Sequence, residues 1–247
     1  MQEVVLALVG IVAGFVNVMA GGGSLLVMPV MVFMGLPGPV ANGTTRVAIL
    51  AQNITATAGF RRKGYRDLRL SLTLAACAVP GAAYGALLGT RLEGVWFNRV
   101  LAGVMIAVIL LMATGPKHSP AVSTARPRTR GRLVLGHGLM VLAGLYGGFI
   151  QAGVGFILMA ILHRVMGLDL VRVNMHKVFI VGVYTIVAIA IFAARGSVLW
   201  STGLVLAAGM ALGGWIGSHV AVGKGEKLIR IVLNVALVAM AAKLLLW

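Results

Sequence analysis

The chain has little acid. Five of its 247 residues are Asp or Glu, and Glu3, Asp67, Glu93, Asp169 and Glu226 all fall near the ends of apolar runs or in loops. None marks a mid-membrane cation site, where sodium and proton pumps usually bury a carboxylate. Cysteine is nearly absent as well. The single Cys77, set in "LTLAACAVPG", excludes an internal disulfide and a cysteine-cluster metal site, and reads as a small buried hydrophobe. There is no HExxH, no GxSxG and no pair of buried carboxylates, so neither an enzyme nor a metal or cofactor site is expected. Lysine and arginine are missing ahead of the first apolar run, "MQEVVLALVG", which argues against a cleaved signal peptide.

What the chain has instead is apolar length. Apolar residues make up 60% and charged residues 11%, with a mean hydropathy of +1.02. Stretches of roughly 17 to 25 apolar residues recur throughout, as membrane-crossing helices require, and leave no room for a soluble domain. The expected fold class is an all-α integral membrane protein, because helices satisfy their own backbone in lipid. The net charge of +16 sits mainly in loops. "RRKGYRDLR" (61–69) and "ATGPKHSPAVSTARPRTRGR" (113–132) hold five Lys/Arg each, which places both on the cytoplasmic side of a cell (inner) membrane and makes the bilayer, not nucleic acid, the partner.

The Pro-, Ser- and Arg-rich linker divides two similar halves. An offset of 132 superposes Gly21 on Gly153, Gly23 on Gly155, Gly35-Leu36 on Gly167-Leu168, Asn42 on Asn174, Gly64 on Gly196, Gly81 on Gly213 and Gly85 on Gly217. The expected organisation is therefore a first membrane repeat at 1–113, a cytoplasmic linker at 114–131 and a second repeat at 132–247. Internal repeats are the usual build of secondary transporters, with the substrate at the repeat interface.

Each half reads as one long interrupted segment and three ordinary spans: 2–35, 40–60, 68–90 and 95–113, then 132–166, 171–194, 199–221 and 226–246. The first segment would measure about 50 Å as one helix, against a hydrocarbon core of about 30 Å. It must tilt or break, and the glycine clusters "AGGGS" (20–24) and "QAGVG" (151–155) are where. Whether it then crosses or re-enters is a matter of charge. Without Arg46 and Lys177, 19 Lys/Arg remain; eight single crossings divide them 12 to 7, two re-entrant hairpins 15 to 4. The hairpin, which inverts the repeats relative to each other, is favoured.

Chemistry is expected at the breaks. A helix starting inside the membrane presents unpaired amides and a partial positive charge, which suits an anion. Gly21, Gly22, Gly23 and Ser24 in one copy, and Gln151, Gly153 and Gly155 in the other, are the candidates. Gly81, Gly85 and Gly89, spaced by four, read instead as helix packing. On the next helix Asn42, Thr45, Arg46, Gln52 and Asn53 form one polar stripe beside Thr44; in the copy it reads Asn174, Lys177, Tyr184 and Thr185. Such a stripe faces the other repeat or a wet cavity. Arg46 and Lys177 either snorkel to an interface or neutralise an anionic ligand; their paired placement favours the ligand. His176 is the titratable group nearest the stripe, and His163 with Arg164 reads as interfacial. Buried bases and amides without acid point to a small anion as cargo.

The pattern resembles the TauE/SafE family of sulfite exporters and organosulfonate permeases. "GGGSLLVMPVMVFMGLP", "ANGTTR" and "RRKG" carry the resemblance in the first half, "GVGFILMAILHRVMGLD", "VNMHK" and "ARGSVLW" in the second. Gly153-Val154-Gly155 is a thinner cluster than the usual form, and Met175-His176-Lys177 replaces the common small-Thr-Ser pattern. The resemblance implies eight membrane segments in two repeats and transport of sulfite, sulfoacetate or related anions. A passive anion channel and a carrier of small carboxylates are the alternatives, and homo-oligomerisation is left open.

Overall fold

The computed structural model describes residues 2–92, 94–113 and 129–245. All regular structure in them is helical: α1 (Gln2–Ala20), α2 (Ser24–Phe33), α3 (Gly38–Arg62), α4 (Leu68–Gly89), α5 (Gly94–Ala113), α6 (Arg130–Phe149), α7 (Val154–Ala160, continuing as a π turn over Ile161–Val165), α8 (Leu170–Ala194) and α9 (Trp200–Leu245). Five are long and apolar enough to cross a membrane among the described residues: those over Glu3–Ala20, Leu68–Gly89, Arg130–Phe149, Leu170–Ala194 and Trp200–Gly223. The chain is a multi-pass membrane protein. The linker at 114–131 lies almost wholly outside the described residues.

Local chemistry sets the helix ends. Pro39 lies in the first turn of α3, where a missing amide hydrogen costs nothing. Asp67 and Asp169 cap α4 and α8, accepting from the amides of Leu70 and Arg172 at 3.2 and 2.9 Å. Two of the five acids are thus spent on helix starts. Helices α3 and α8 are each 25 residues long. Their first residues, Gly38 and Leu170, stand 132 positions apart.

Both interrupted segments break where the glycines fall. After α1, Gly21 turns left-handed at φ 86°, and Gly23 comes to rest against the Ala13 carbonyl and the Asn17 side chain. The chain has doubled back along α1, since a continuing helix would carry Gly23 about 15 Å beyond Ala13. After α6, the left-handed turn uses Gln151 (φ 60°) and Gly153 (φ 72°).

The end of the chain departs from expectation. Separate spans at 199–221 and 226–246 are replaced by one backbone helix, α9, of 46 residues. In the first half the corresponding stop uses Gly94 at φ 58°; after one residue of slippage, which sets Arg99 on Arg230, the matching position is Gly225, and here both Gly223 and Gly225 stay within the helix. Proline is missing from "VAVGKGEKL", so no residue there is barred from a helix.

Packing joins the halves crosswise. Helix α1 lies along α9, α4 along α6, and α3 packs with α8 between them. Gly81, Gly85 and Gly89 sit directly against the carbonyls of Val141, Leu145 and Phe149 on α6, so their expected packing role holds. Cys77 is half-buried against the core.

Candidate functional site

The polar stripe is buried. Asn42, Thr44, Thr45, Arg46, Gln52, Asn174 and His176 are inaccessible, and Ser24, Asn53, Gln151 and Lys177 are at most 3% exposed. Neither Arg46 nor Lys177 snorkels. Each reaches instead to the C-terminal end of a broken helix in the other half of the chain.

Arg46 donates from Nη1 to the Gly147 carbonyl (3.0 Å) and to Gln151 Oε1 (3.3 Å), and from Nη2 to the Gly148 carbonyl (2.5 Å) and to Asn42 Oδ1 (3.0 Å). Asn42 Nδ2 donates onward to the Phe149 carbonyl at 2.7 Å. Three carbonyls that α6 leaves unpaired at its end thereby receive donors, and a cation sits at the negative pole of the helix. The Phe192 ring covers the guanidinium at 4.7 Å, and Nε has no hydrogen-bond partner. Lys177 treats α1 the same way. Its Nζ donates to the carbonyls of Asn17 (3.1 Å) and Val18 (2.9 Å) and to Asn174 Oδ1 (2.7 Å), while Asn174 Nδ2 donates to the Met19 carbonyl at 3.2 Å.

The two breaks meet. Gly21 and Gly155 approach so closely that a β-carbon on either would overlap the other's main chain. Ser24 ties them: its Oγ donates to the Gln151 carbonyl (3.3 Å) and accepts from the Gly153 amide (3.1 Å). The amides of Gly22, Gly23, Ser24 and Gly155 donate to no backbone carbonyl. Beside this junction a cavity of about 10 Å³ is lined by Asn17, Gln52, Asn53, Val154, Gly155, Lys177, Val178 and Val181.

Other expected site residues take local duties. Thr45 Oγ1 donates to the Ala41 carbonyl within α3 (2.7 Å), and Thr44 Oγ1 accepts from the Leu199 amide (2.9 Å) just ahead of α9. His176 Nδ1 lies 2.8 Å from Ser71 Oγ of α4, and His176 does not line the cavity. Sequence reasoning missed Asn17, which lines the cavity and donates to Gln52 Oε1 at 2.9 Å. Its signal was a lone amide in "GFVNVMAGGG", four residues ahead of the glycines. Tyr184, assigned to the stripe but not to the site, donates to Gln151 Oε1 at 3.3 Å.

Nine helices among the described residues, two of them short and following breaks at a polar junction, define a polytopic helical membrane protein. The family description "Sulfite exporter TauE/SafE" matches residues 6–244, and the chain belongs to that family. It is similar to a probable membrane transporter protein, ORF9, of a Sinorhizobium species, 30% identical over 95% of this chain and 88% of that one. A probable membrane transporter protein of Haemophilus influenzae is 28% identical over 97% of this chain and 93% of its own length. The probable membrane transporter protein YfcA of Escherichia coli is 28% identical, covering 98% and 88%. No solved structure matches. The chain is a membrane transporter, and its family is not one of enzymes.

Proposed function

We propose that this transporter is a secondary carrier of a small sulfur-containing oxyanion, sulfite or an organosulfonate, bound between two inverted repeats where their glycine-rich breaks meet. The observation that carries the reading is the junction itself: two buried cations, the four orphan amides of Gly22, Gly23, Ser24 and Gly155 and a set of carboxamides lie around it, and no carboxylate lines the cavity. An oxyanion accepts hydrogen bonds from the donors left free there, Asn53 Nδ2 and the amides of the two breaks, beside the charge of Lys177, whereas no carboxylate is at hand to balance a cation.

The inverted arrangement is supported by the course of the chain at Gly23, which returns beside Ala13 as a re-entrant segment would, and by helix starts spaced 132 apart in α3 and α8. Carrier action rather than passive conduction is supported by the internal repeat, the usual build of secondary transporters. Direct binding tests the substrate: the purified protein is titrated with sulfite, sulfate, thiosulfate, sulfoacetate, taurine and acetate while its melting temperature is followed. Stabilisation by sulfite or a sulfonate is expected; stabilisation by acetate alone overturns the sulfur assignment.

A further inference from the structure

The two basic residues are related by position but not by surroundings. On the Arg46 side the space beside the broken helix is filled. Tyr184, 132 positions after Gln52, puts its hydroxyl on Gln151 Oε1, and Phe192 lies over the guanidinium. Three of the four hydrogen bonds of Arg46 end on α6 or on Gln151, just beyond it. On the Lys177 side smaller groups stand at the same depth, and the cavity opens among them.

A relay of carboxamides leads into that cavity. Asn17 Nδ2 donates to Gln52 Oε1 at 2.9 Å, and Gln52 Nε2 donates to Asn53 Oδ1 at 3.3 Å. The relay fixes the orientation of each amide and leaves its last donor, Asn53 Nδ2, buried with no partner. Asn53 is 2% exposed and lines the cavity, as do Lys177 and Gly155. A buried donor without an acceptor is rare, and here an ammonium and a helix-start amide share the same small space.

Resting on the reading of an oxyanion carried between the halves, we propose that the anion subsite lies on one side only, in the cavity walled by Lys177, Asn53 and the Gly155 backbone, while Arg46 is a fixed clamp on the end of α6. Lys177 has three donors and three acceptors, of which two are main-chain carbonyls and one is the side-chain oxygen of Asn174. An oxyanion oxygen replaces Asn174 Oδ1 and keeps the ammonium fully bonded, now to a charge. Asn53 Nδ2 and the Gly155 amide supply two further donors. The cavity has room for about one water, so loading sulfite or a larger sulfonate requires α7 to draw away from Val178 and Val181 of α8.

The test is calorimetric titration of the full-length purified protein with sodium sulfite, taurine, sodium acetate and sodium chloride, using wild type, Asn53→Ala, Asn53→Asp and Ile54→Ala. Ile54 is the exposed neighbour of Asn53 on α3 and serves as the control. Asn53→Ala removes the unpartnered donor together with the acceptor of Gln52 Nε2, so it should melt somewhat below wild type and bind the preferred anion about tenfold more weakly, whereas Asn53→Asp keeps that acceptor and should melt closer to wild type. Asn53→Asp places like charge against the ligand and should abolish binding, and Ile54→Ala should bind as wild type. Should folded Asn53→Ala bind within about twofold of wild type, the subsite is wrong even where sulfite binding itself stands. A wild type that prefers acetate or chloride, with binding lost in Asn53→Ala, keeps the subsite and removes the sulfur assignment. Binding of none of the four by wild type overturns both.

Discussion

Gly21 and Gly155 lie against each other main chain to main chain, so the two interrupted segments touch at their breaks across 134 positions of sequence. A methyl on Gly155 meets the backbone of Gly21, which cannot rotate aside as a side chain would. Gly155→Ala should therefore lower stability by about 1–3 kcal/mol through overpacking. Gly138→Ala, with open space around its α-carbon on α6, should be neutral or stabilising by up to about 1 kcal/mol. Thermal melting of the two purified variants decides; equal melting would mean that the breaks do not bear on each other.

Arg46 is expected to behave first as a structural clamp. In Arg46→Ala the carbonyls of Gly147 and Gly148 lose their donors inside the protein, at about 1–3 kcal/mol for each group left unpaired. Arg46→Lys keeps a cation at the helix end but not the fork, and should recover part of the loss. The order of melting temperatures, wild type above lysine above alanine, is the check. An alanine variant as stable as wild type contradicts the clamp.

Ser24 holds the junction from the first half. Replacing it by alanine removes a donor to the Gln151 carbonyl and an acceptor for the Gly153 amide. The expected cost is about 1–2 kcal/mol. Ser24→Thr retains the hydroxyl and should keep more of that stability than alanine. Chemical denaturation in detergent, read at the helix signal, separates the two variants.

Orientation is open to labelling. A cysteine at Ser119 in a Cys77→Ala background should resist membrane-impermeant thiol reagents in intact cells and react once the cells are broken. Reaction in intact cells reverses the assigned orientation. A reporter fused after Trp247 should behave as external with two re-entrant segments and as cytoplasmic with eight single crossings.

Much of the fold was legible because the bilayer permits few solutions. Apolar length located α1, α4, α6 and α8, and overlong segments with glycine clusters located both breaks within a few residues. The inward direction of the stripe followed from the cost of facing lipid, and all of its residues are buried. The last stop was misplaced because the glycines and charges at 222–227 look like a turn, yet the helix runs through Gly223 and Gly225. The partners of Arg46 and Lys177 were not legible. They are main-chain carbonyls of Gly147, Gly148, Asn17 and Val18, and a backbone acceptor has no sequence signature. Nor does sequence distinguish a cation that meets a ligand from one that meets the end of a helix, since both need burial near a break.

The crossed clamps also bear on how the chain is made. Synthesis runs from the N-terminus, so α6 emerges when Arg46 is already in place to receive its end. The end of α1 has less help: the Asn17 carbonyl takes the Gly21 amide, but those of Val18 and Met19 wait for Lys177 and Asn174, 159 and 155 residues further on. Until then the nascent first half holds a helix end whose proper donor has not been translated. Chains truncated before residue 177 should accordingly be substrates for membrane proteolysis, and the two halves are obliged to mature together rather than in turn.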